Sequence, residues 1–174
     1  NAEEAAQALA NAAPESIDHT GYITSDETWK KESIHYLTDK VIVPDGVILT
    51  IEAGTIIKAR QHSNPEDSAA LIVARGGKIF AIGDSKAPII FTSELDNIKK
   101  DHTYPNGSPN LTAEDYQLWG GLMVMGKARI SVDTNEIEFA IEGIPAEDTF
   151  RLYGGKDDTD SSGVLDYVST VSYT

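Results

Sequence analysis

The densest group of potential metal ligands is a short acidic run near the end of the sequence. Asp157, Asp158 and Asp160 all lie between Lys156 and Ser161. Calcium takes six to eight oxygen ligands at about 2.3–2.6 Å, and carboxylates on a flexible loop can supply them. The run lacks the glycine and the distal glutamate of an EF-hand loop. Two interpretations therefore stay open: a calcium site, or a solvated turn between strands.

A second candidate site is the longest segment without a regular pattern, residues 94–118. It contains Asp96, Tyr104, Asn106 and Tyr116, whose carboxylate, phenol and amide groups suit contacts with a glycan or a protein. Loops longer than about 12–15 residues inside a compact domain are usually functional or disordered. We interpret this segment as a binding loop, and the alternative is an excursion that the fold merely tolerates.

Composition excludes several other kinds of site. The 174 residues include no cysteine, so disulfides, thiolate metal sites and cysteine nucleophiles are absent. A net charge of −14, with basic residues scattered along the sequence, argues against nucleic acid as a partner. The four histidines lie far apart without metal-ligand spacing, which indicates surface or turn positions. No apolar run approaches the roughly 20 residues of a membrane-spanning helix.

Short runs of β-branched and aromatic residues, separated by glycine turns, account for most of the chain. They include residues 41–43, 47–51 and 69–73, with turns such as Pro44-Asp45-Gly46 between them. The first residues are instead alanine-rich, with early acidic side chains, and predict a helix over 3–13. The sequence therefore predicts an all-β domain over 21–174, preceded by a short N-terminal helical cap over 1–20.

The strand runs carry a weak internal repeat. Superposing position 46 on position 76 places Val43 on Val73 and Leu49 on Ile79. Repetition of short strands at a fixed period is typical of a solenoid, in which each coil buries its apolar residues against its neighbours. The alternative is a β-sandwich, but antiparallel sheets favour alternating patterns and Asn-Gly or Asp-Gly hairpin turns, which are rare here.

Several glycine-containing motifs also follow one another in a fixed order. They include Leu49-Thr50-Ile51-Glu52-Ala53-Gly54-Thr55, Trp119-Gly120-Gly121-Leu122 and Ser162-Gly163-Val164-Leu165. Over about residues 21–174 this order resembles a family of exported, Bacteroidota-type bacterial surface proteins with a right-handed parallel β-helix, pectin-lyase-like in shape. The resemblance implies a location outside the cell or on the outer surface of a bacterium, in a family rich in lipoproteins. It supplies no shared set of catalytic residues.

The function expected from these observations is structural or adhesive, at the cell surface, without catalysis and without a cofactor other than calcium. The alternative is a polysaccharide-binding or polysaccharide-degrading β-helix, a lyase or hydrolase, although the strand runs carry almost no acids or bases. The last run, residues 164–171, is β-rich, and nothing in the sequence follows to cover its edge. We therefore expect a fragment of a longer solenoid or a subunit that stacks end to end with its own copies, a surface glycan being the other partner.

Overall fold

A computed structural model describes residues 15–64, 67–100, 107–131, 136–145 and 147–170. In these residues it contains thirteen strands and a 3₁₀ turn at Thr149–Arg151. The strands are β1 (Ser16–Tyr22), β2 (Glu27–Trp29), β3 (Ile34–Val43), β4 (Ile48–Ile51), β5 (Ile56–Ala59), β6 (Ala70–Val73), β7 (Lys78–Ile82), β8 (Ile89–Ser93), β9 (Gly121–Val124), β10 (Phe139–Ala140), β11 (Leu152–Tyr153), β12 (Gly163–Asp166) and β13 (Val168–Thr170).

The strands stack in parallel as successive coils around one core, and each full coil contributes a strand to each of three sides. Side 1 consists of the first half of β1, the first half of β3, and then β5, β8 and β13. Side 2 consists of the second halves of β1 and β3 followed by β6 and β9. Side 3 consists of β2, β4, β7 and β12.

This architecture is a right-handed parallel β-helix, as the sequence predicted. A β-sandwich would need antiparallel sheets, whereas the only antiparallel pair among the described strands is the small hairpin β10–β11. The predicted repeat is also confirmed, because Val43 lies beside Val73 and Leu49 beside Ile79 in neighbouring coils. The repeat in sequence is therefore the length of one coil.

The core is a set of apolar side chains that point inward from all three sides. Those that are fully shielded from solvent include Leu37, Val43, Leu49, Ile57, Leu71, Ile79 and Phe91. Burying one such side chain contributes about 1.5–3 kcal/mol. Close approach of the coils also requires small residues at the corners: a Cβ on Gly77 would lie 2.3 Å from the carbonyl oxygen of Val43.

Two further apolar clusters lie outside the coils, where the long excursions cover the strands. On side 2, Ile42 and Ile72 pack with Ile144 and Phe150 from the segment between β9 and β12. On side 1, a smaller cluster that includes Ile90 packs with Ile98 of the long loop. The described part of 94–118 contains no strand and lies against the β-helix as a loop.

The N-terminal part differs from the prediction of a helical cap over 1–20. Ser16–Tyr22 forms β1, which pairs in parallel with β3, so the last residues of the predicted cap are strand. Partly buried Ile17 and His19 alternate with exposed Asp18, which is the period of a strand and not of a helix. The predicted helix at 3–13 lies outside the described residues. Within the described chain, no helix has the length and apolarity needed to cross a membrane.

Candidate functional site

Asp96, predicted as a binding-loop residue, is buried beneath the loop and anchors it. Its carboxylate accepts hydrogen bonds from Thr92 Oγ1 at 2.8 Å, Ser108 Oγ at 2.9 Å and Ile98 N at 3.0 Å, and the residue is 1% exposed. Thr92 belongs to β8, whereas Ser108 and Ile98 belong to the loop. The side chain therefore ties the loop to side 1 and does not face a ligand in solvent.

Tyr116 is the other described residue of the predicted binding set, and it differs from Asp96 in being 59% exposed. Tyr104 and Asn106 lie outside the described residues. The predicted set therefore contains one structural anchor and one surface aromatic, and not four groups shown to face a common ligand.

Lys58 of β5 is a buried cation next to this anchor. Its Nζ donates a hydrogen bond to the carbonyl oxygen of Asp96 at 2.6 Å. Burial lowers the pKa of the Lys58 ammonium, because desolvation penalises its charge, and the nearby Asp96 carboxylate opposes that shift. Lys58 also lines an open cleft with Glu15, Glu94, Lys99 and Lys100.

Arg60 follows β5 and is held by two carboxylates. Its guanidinium contacts Glu94 at 3.0 Å and Asp18 at 3.3 Å, and lies 3.8 Å from the centre of the Tyr36 ring. Burial lowers the pKa of Arg60, but hydrogen bonds to the two carboxylates outweigh it and raise the pKa overall. The charged side chains of side 1 thus bind one another, and each joins a strand or strand end to the long loop or a neighbouring coil.

The acidic run near the C-terminal end forms local contacts. Asp157 accepts hydrogen bonds from Thr159 Oγ1 at 2.7 Å and Thr159 N at 3.0 Å, and these bonds lower the pKa of its carboxyl. Asp158 accepts bonds from the backbone N and the guanidinium of Arg129, which lower the pKa of that carboxyl too. Both carboxylates are therefore occupied by groups of the protein itself.

Asp160, the third residue of the predicted calcium site, accepts a hydrogen bond from Lys127 N at 2.6 Å. No group of three or more His, Asp or Glu side chains in the described ranges is arranged to hold a metal ion. The structure therefore does not arrange the three aspartates as a metal site: Asp158 and Asp160 fasten their turn to residues 127–129, and Asp157 bonds to Thr159 within the turn. Calcium binding stays a prediction.

Two histidines that the sequence analysis assigned to surface or turn positions meet inside the first coils. The Nε2 of His19 lies 2.9 Å from Nδ1 of His35, and His35 Nε2 lies 3.0 Å from the carbonyl oxygen of Lys30. Both rings stack against Trp29, with centroids 4.2 and 5.3 Å away. The surface assignment is wrong for His35, which is 1% exposed. Its alternation with the core residue Leu37 was the signal that could have placed it inward.

The last coil leaves inward-pointing apolar side chains open to solvent. Its inward positions are Leu122, Val124, Leu165 and Val168, and their register partners one coil below are Leu71, Val73, Ala81 and Ile89. All four partners are fully buried, whereas Val124 is 43% and Leu165 48% exposed. In the described part of the chain, the solenoid is therefore open at this end.

Unpaired strand edges surround the same opening. Among the described strands, β9, β12 and β13 each pair with a strand on one side only. Tyr167, at the corner between β12 and β13, is exposed and has a positive φ of 46°. Val124, Leu165 and Tyr167, with the free edges of β9, β12 and β13, form what we call the end surface. Free backbone donors and acceptors next to apolar side chains are what a further strand pairs with.

Comparison with known proteins gives one match. The family model of a pectate-lyase-like β-helix domain matches residues 21–174, from the second half of β1 through the last strand. Neither the curated proteins nor the solved structures compared with the chain gave a match.

Proposed function

We propose that this chain, which belongs to the family of pectate-lyase-like β-helix domains, is a non-catalytic structural protein that associates with its own copies. The observation that carries the proposal is the end surface, where inward positions that are buried in every coil below lie open. A further strand satisfies both its apolar side chains and its free backbone edges. A β-helix of the same chain supplies such strands.

The other end of the solenoid supports a particular geometry for this association. Trp29 and Ile23, which point inward from the first coil, are almost fully buried. In the described chain, β1 and β2 also pair on one side only, but the apolar interior is covered at that end and exposed at the other, so two copies would meet through their end surfaces. Such a contact uses the same patch on both partners, so it closes as a two-fold pair and does not continue into a filament.

The charged groups of side 1 support the absence of catalysis. Glycoside hydrolysis needs two carboxyl groups about 5–9.5 Å apart that flank a bound sugar. Here Asp96 is buried with three hydrogen-bond donors, and Glu94 is held by Arg60. These groups stabilise the loop and are not free to act on a substrate.

For the location we propose the outer surface of a bacterium, and for the role a rigid structural or adhesive element. The support is the resemblance of the motif order to exported bacterial β-helices. A surface glycan remains the proposed partner of the exposed part of 94–118, where Tyr116 offers an aromatic face.

Sedimentation velocity over a range of protein concentrations tests the association. We expect a monomer–dimer equilibrium that Leu165→Glu shifts to monomer, because a buried carboxylate would face its own copy. Leu95→Glu is the matched control, since Leu95 is 49% exposed on the long loop and is not part of the end surface. A wild-type chain that stays monomeric at every concentration, or equal effects of both substitutions, would contradict the proposal.

The alternative, a polysaccharide-binding or polysaccharide-degrading enzyme, is favoured by the open cleft beside Lys58. Incubation with neutral and acidic polysaccharides, followed by assays for new reducing ends and for unsaturated products, tests it. We expect neither product. Turnover that is lost in Lys58→Met and retained in Lys78→Met would establish the enzyme and refute the non-catalytic role.

A further inference from the structure

A cleft lined by lysines lies at the corner between side 3 and side 1. Lys31 comes from the turn between β2 and β3, Lys86 from the turn between β7 and β8, and Lys100 from the long loop. The basic residues look scattered in the sequence, but folding brings these three around a space of about 200 Å³. We call it the lysine cleft.

Among the residues that the structure describes, none that lines the lysine cleft carries a negative charge. Its remaining lining residues are Gly54, Ile56, Ala87, Pro88 and Ile90. Within the described part of the chain, none of the ion pairs involves Lys31, Lys86 or Lys100. In a chain of net charge −14, the three ammonium groups around this space are a local concentration of positive charge. Such a concentration of one charge attracts an anion.

The fold shapes and supports this cleft. Gly54 belongs to the corner turn between the turns that carry Lys31 and Ala87, and a Cβ there would lie 3.5 Å from Cβ of Ala87 and 4.0 Å from Cδ of Lys31. Because Gly54 has no side chain, the space between these turns stays open.

Two hydrogen-bonded contacts fix the positions of the lysines. Lys100 Nζ donates to the carbonyl oxygen of Glu32 at 2.8 Å, which holds this lysine against the turn that carries Lys31. The turn of Lys86 is fixed by Asp84, whose Oδ1 accepts hydrogen bonds from the backbone N of Lys86 at 2.7 Å and of Ala87 at 3.0 Å. Asp84 is thereby engaged with the backbone.

We propose that the lysine cleft binds a phosphate or sulfate ester carried on a monosaccharide-sized body. Lysine binds phosphate groups as a compact point charge, and the described lining contains three lysines but no arginine, whose two-pronged guanidinium would favour bidentate pairing with a planar carboxylate. The apolar floor of Ile56, Pro88 and Ile90 offers contact to the carbon face of a small ring. The site shares no lining residue with the end surface, although the turn that carries Lys86 lies one coil below Tyr167, and its ligand does not depend on the proposed association.

Isothermal titration with glucose 6-phosphate, glucose 6-sulfate and glucuronate as probes tests the proposal. We expect the phosphate or the sulfate ester to bind, and the stronger of the two identifies the source of the anion. Glucuronate should bind at least about tenfold more weakly, a difference of about 1.4 kcal/mol. Glucuronate binding equal to that of both esters would overturn the assignment of a tetrahedral anion.

Two double variants that remove the same charge distinguish binding at the lysine cleft from general electrostatic attraction to the protein surface. Lys31→Gln with Lys86→Gln should weaken binding at least about tenfold, since two of three cations are lost. Lys78→Gln with Lys156→Gln removes the same charge elsewhere and should change affinity less than about twofold. Circular dichroism checks that both fold. The absence of binding by either ester, or equal weakening in both variants, would refute the lysine cleft as a binding site.

Discussion

His19 and His35 share a hydrogen bond inside the first coils, with 2.9 Å between Nε2 of one ring and Nδ1 of the other. Burial lowers the pKa of both rings, which favours their neutral forms near pH 7. In a neutral His35 whose Nε2 donates to the carbonyl oxygen of Lys30, Nδ1 is the acceptor and His19 Nε2 is the donor. A proton added to His35 Nδ1 would remove the acceptor and place a charge in the core.

The first prediction concerns pH. Burial and the neighbouring His35 lower the pKa of His19 to about 4, partly opposed by Asp18, and burial also lowers the pKa of His35. Because both folded pKa values lie below the unfolded value of about 6.5, the unfolded chain binds more protons as pH falls. Stability should be fully present above pH ~6.5 and decrease from there toward pH ~4.

Urea unfolding midpoints at several pH values measure this effect. His19→Gln should flatten the decrease, whereas His62→Gln, at an exposed histidine, should leave it unchanged. A wild-type midpoint that is constant between pH ~7 and ~4 would show that the pair does not titrate as inferred.

The second prediction concerns the stacking of coils at Gly77. Gly77→Ala would place a Cβ 2.3 Å from the Val43 carbonyl oxygen. Because that oxygen belongs to the backbone of a buried strand, it can move aside only at a large cost in free energy. We expect a loss of at least about 3 kcal/mol or failure to fold. Gly46→Ala meets open space and is strained only by its φ of 80°, so it should cost about 1 kcal/mol. Thermal unfolding of both variants compares them, and equal losses would argue against the steric explanation.

The third prediction concerns the anchor of the long loop. Asp96→Ala leaves the donors of Thr92, Ser108 and Ile98 without their acceptor and should cost about 2–3 kcal/mol. Asp115→Ala removes a half-buried carboxylate of the same loop, whose hydrogen bonds from Thr112 lie at the surface, and should cost less than about 1 kcal/mol.

Limited proteolysis gives a second readout for this anchor. Cleavage within 94–118 should accelerate in Asp96→Ala below its melting temperature, because the loop is released before the coils open. Cleavage spread evenly over the chain would indicate global destabilisation instead.

The fourth prediction concerns charge and association. Each copy carries −14, so two copies repel, and salt screens this repulsion. Dimerisation through the end surface should strengthen between about 0.01 M and 1 M ionic strength, where the Debye length falls from about 30 Å to 3 Å. Analytical ultracentrifugation measures the change. Association that weakens with salt would point to an interface held by ion pairs.

The repeat was readable from sequence because strand and turn residues recur at the length of a coil. Val43 and Val73, or Leu49 and Ile79, are apolar residues at matching distances from glycine turns, and parallel stacking places them side by side. Their inward direction also followed, since a solenoid has one interior. The fold was therefore predictable over the coils of regular length.

The candidate sites were less predictable because they depend on contacts between distant segments. The carboxylate of Asp96 is a group that could bind a ligand, and only its contact with Ser108 shows that it anchors the loop. Lys31, Lys86 and Lys100 are unremarkable in sequence and become neighbours only when the corners stack. His35 is polar by type, yet stacking on Trp29 and a backbone acceptor make its burial acceptable.

The spacing of paired strands along the chain sets an order of assembly. Ile34 and Ile56, partners in β3 and β5, are 22 residues apart, and Lys40 and Ala70 of β3 and β6 are 30 apart. The partners Gly163 and Ile79 of β12 and β7 are separated by 84 residues. Because closing a longer loop costs more entropy, β3 and its neighbours should form the folding nucleus, and the last coil should be added at the end. The same coil then opens first when the protein unfolds, so any partner that binds the end surface slows unfolding at its earliest step.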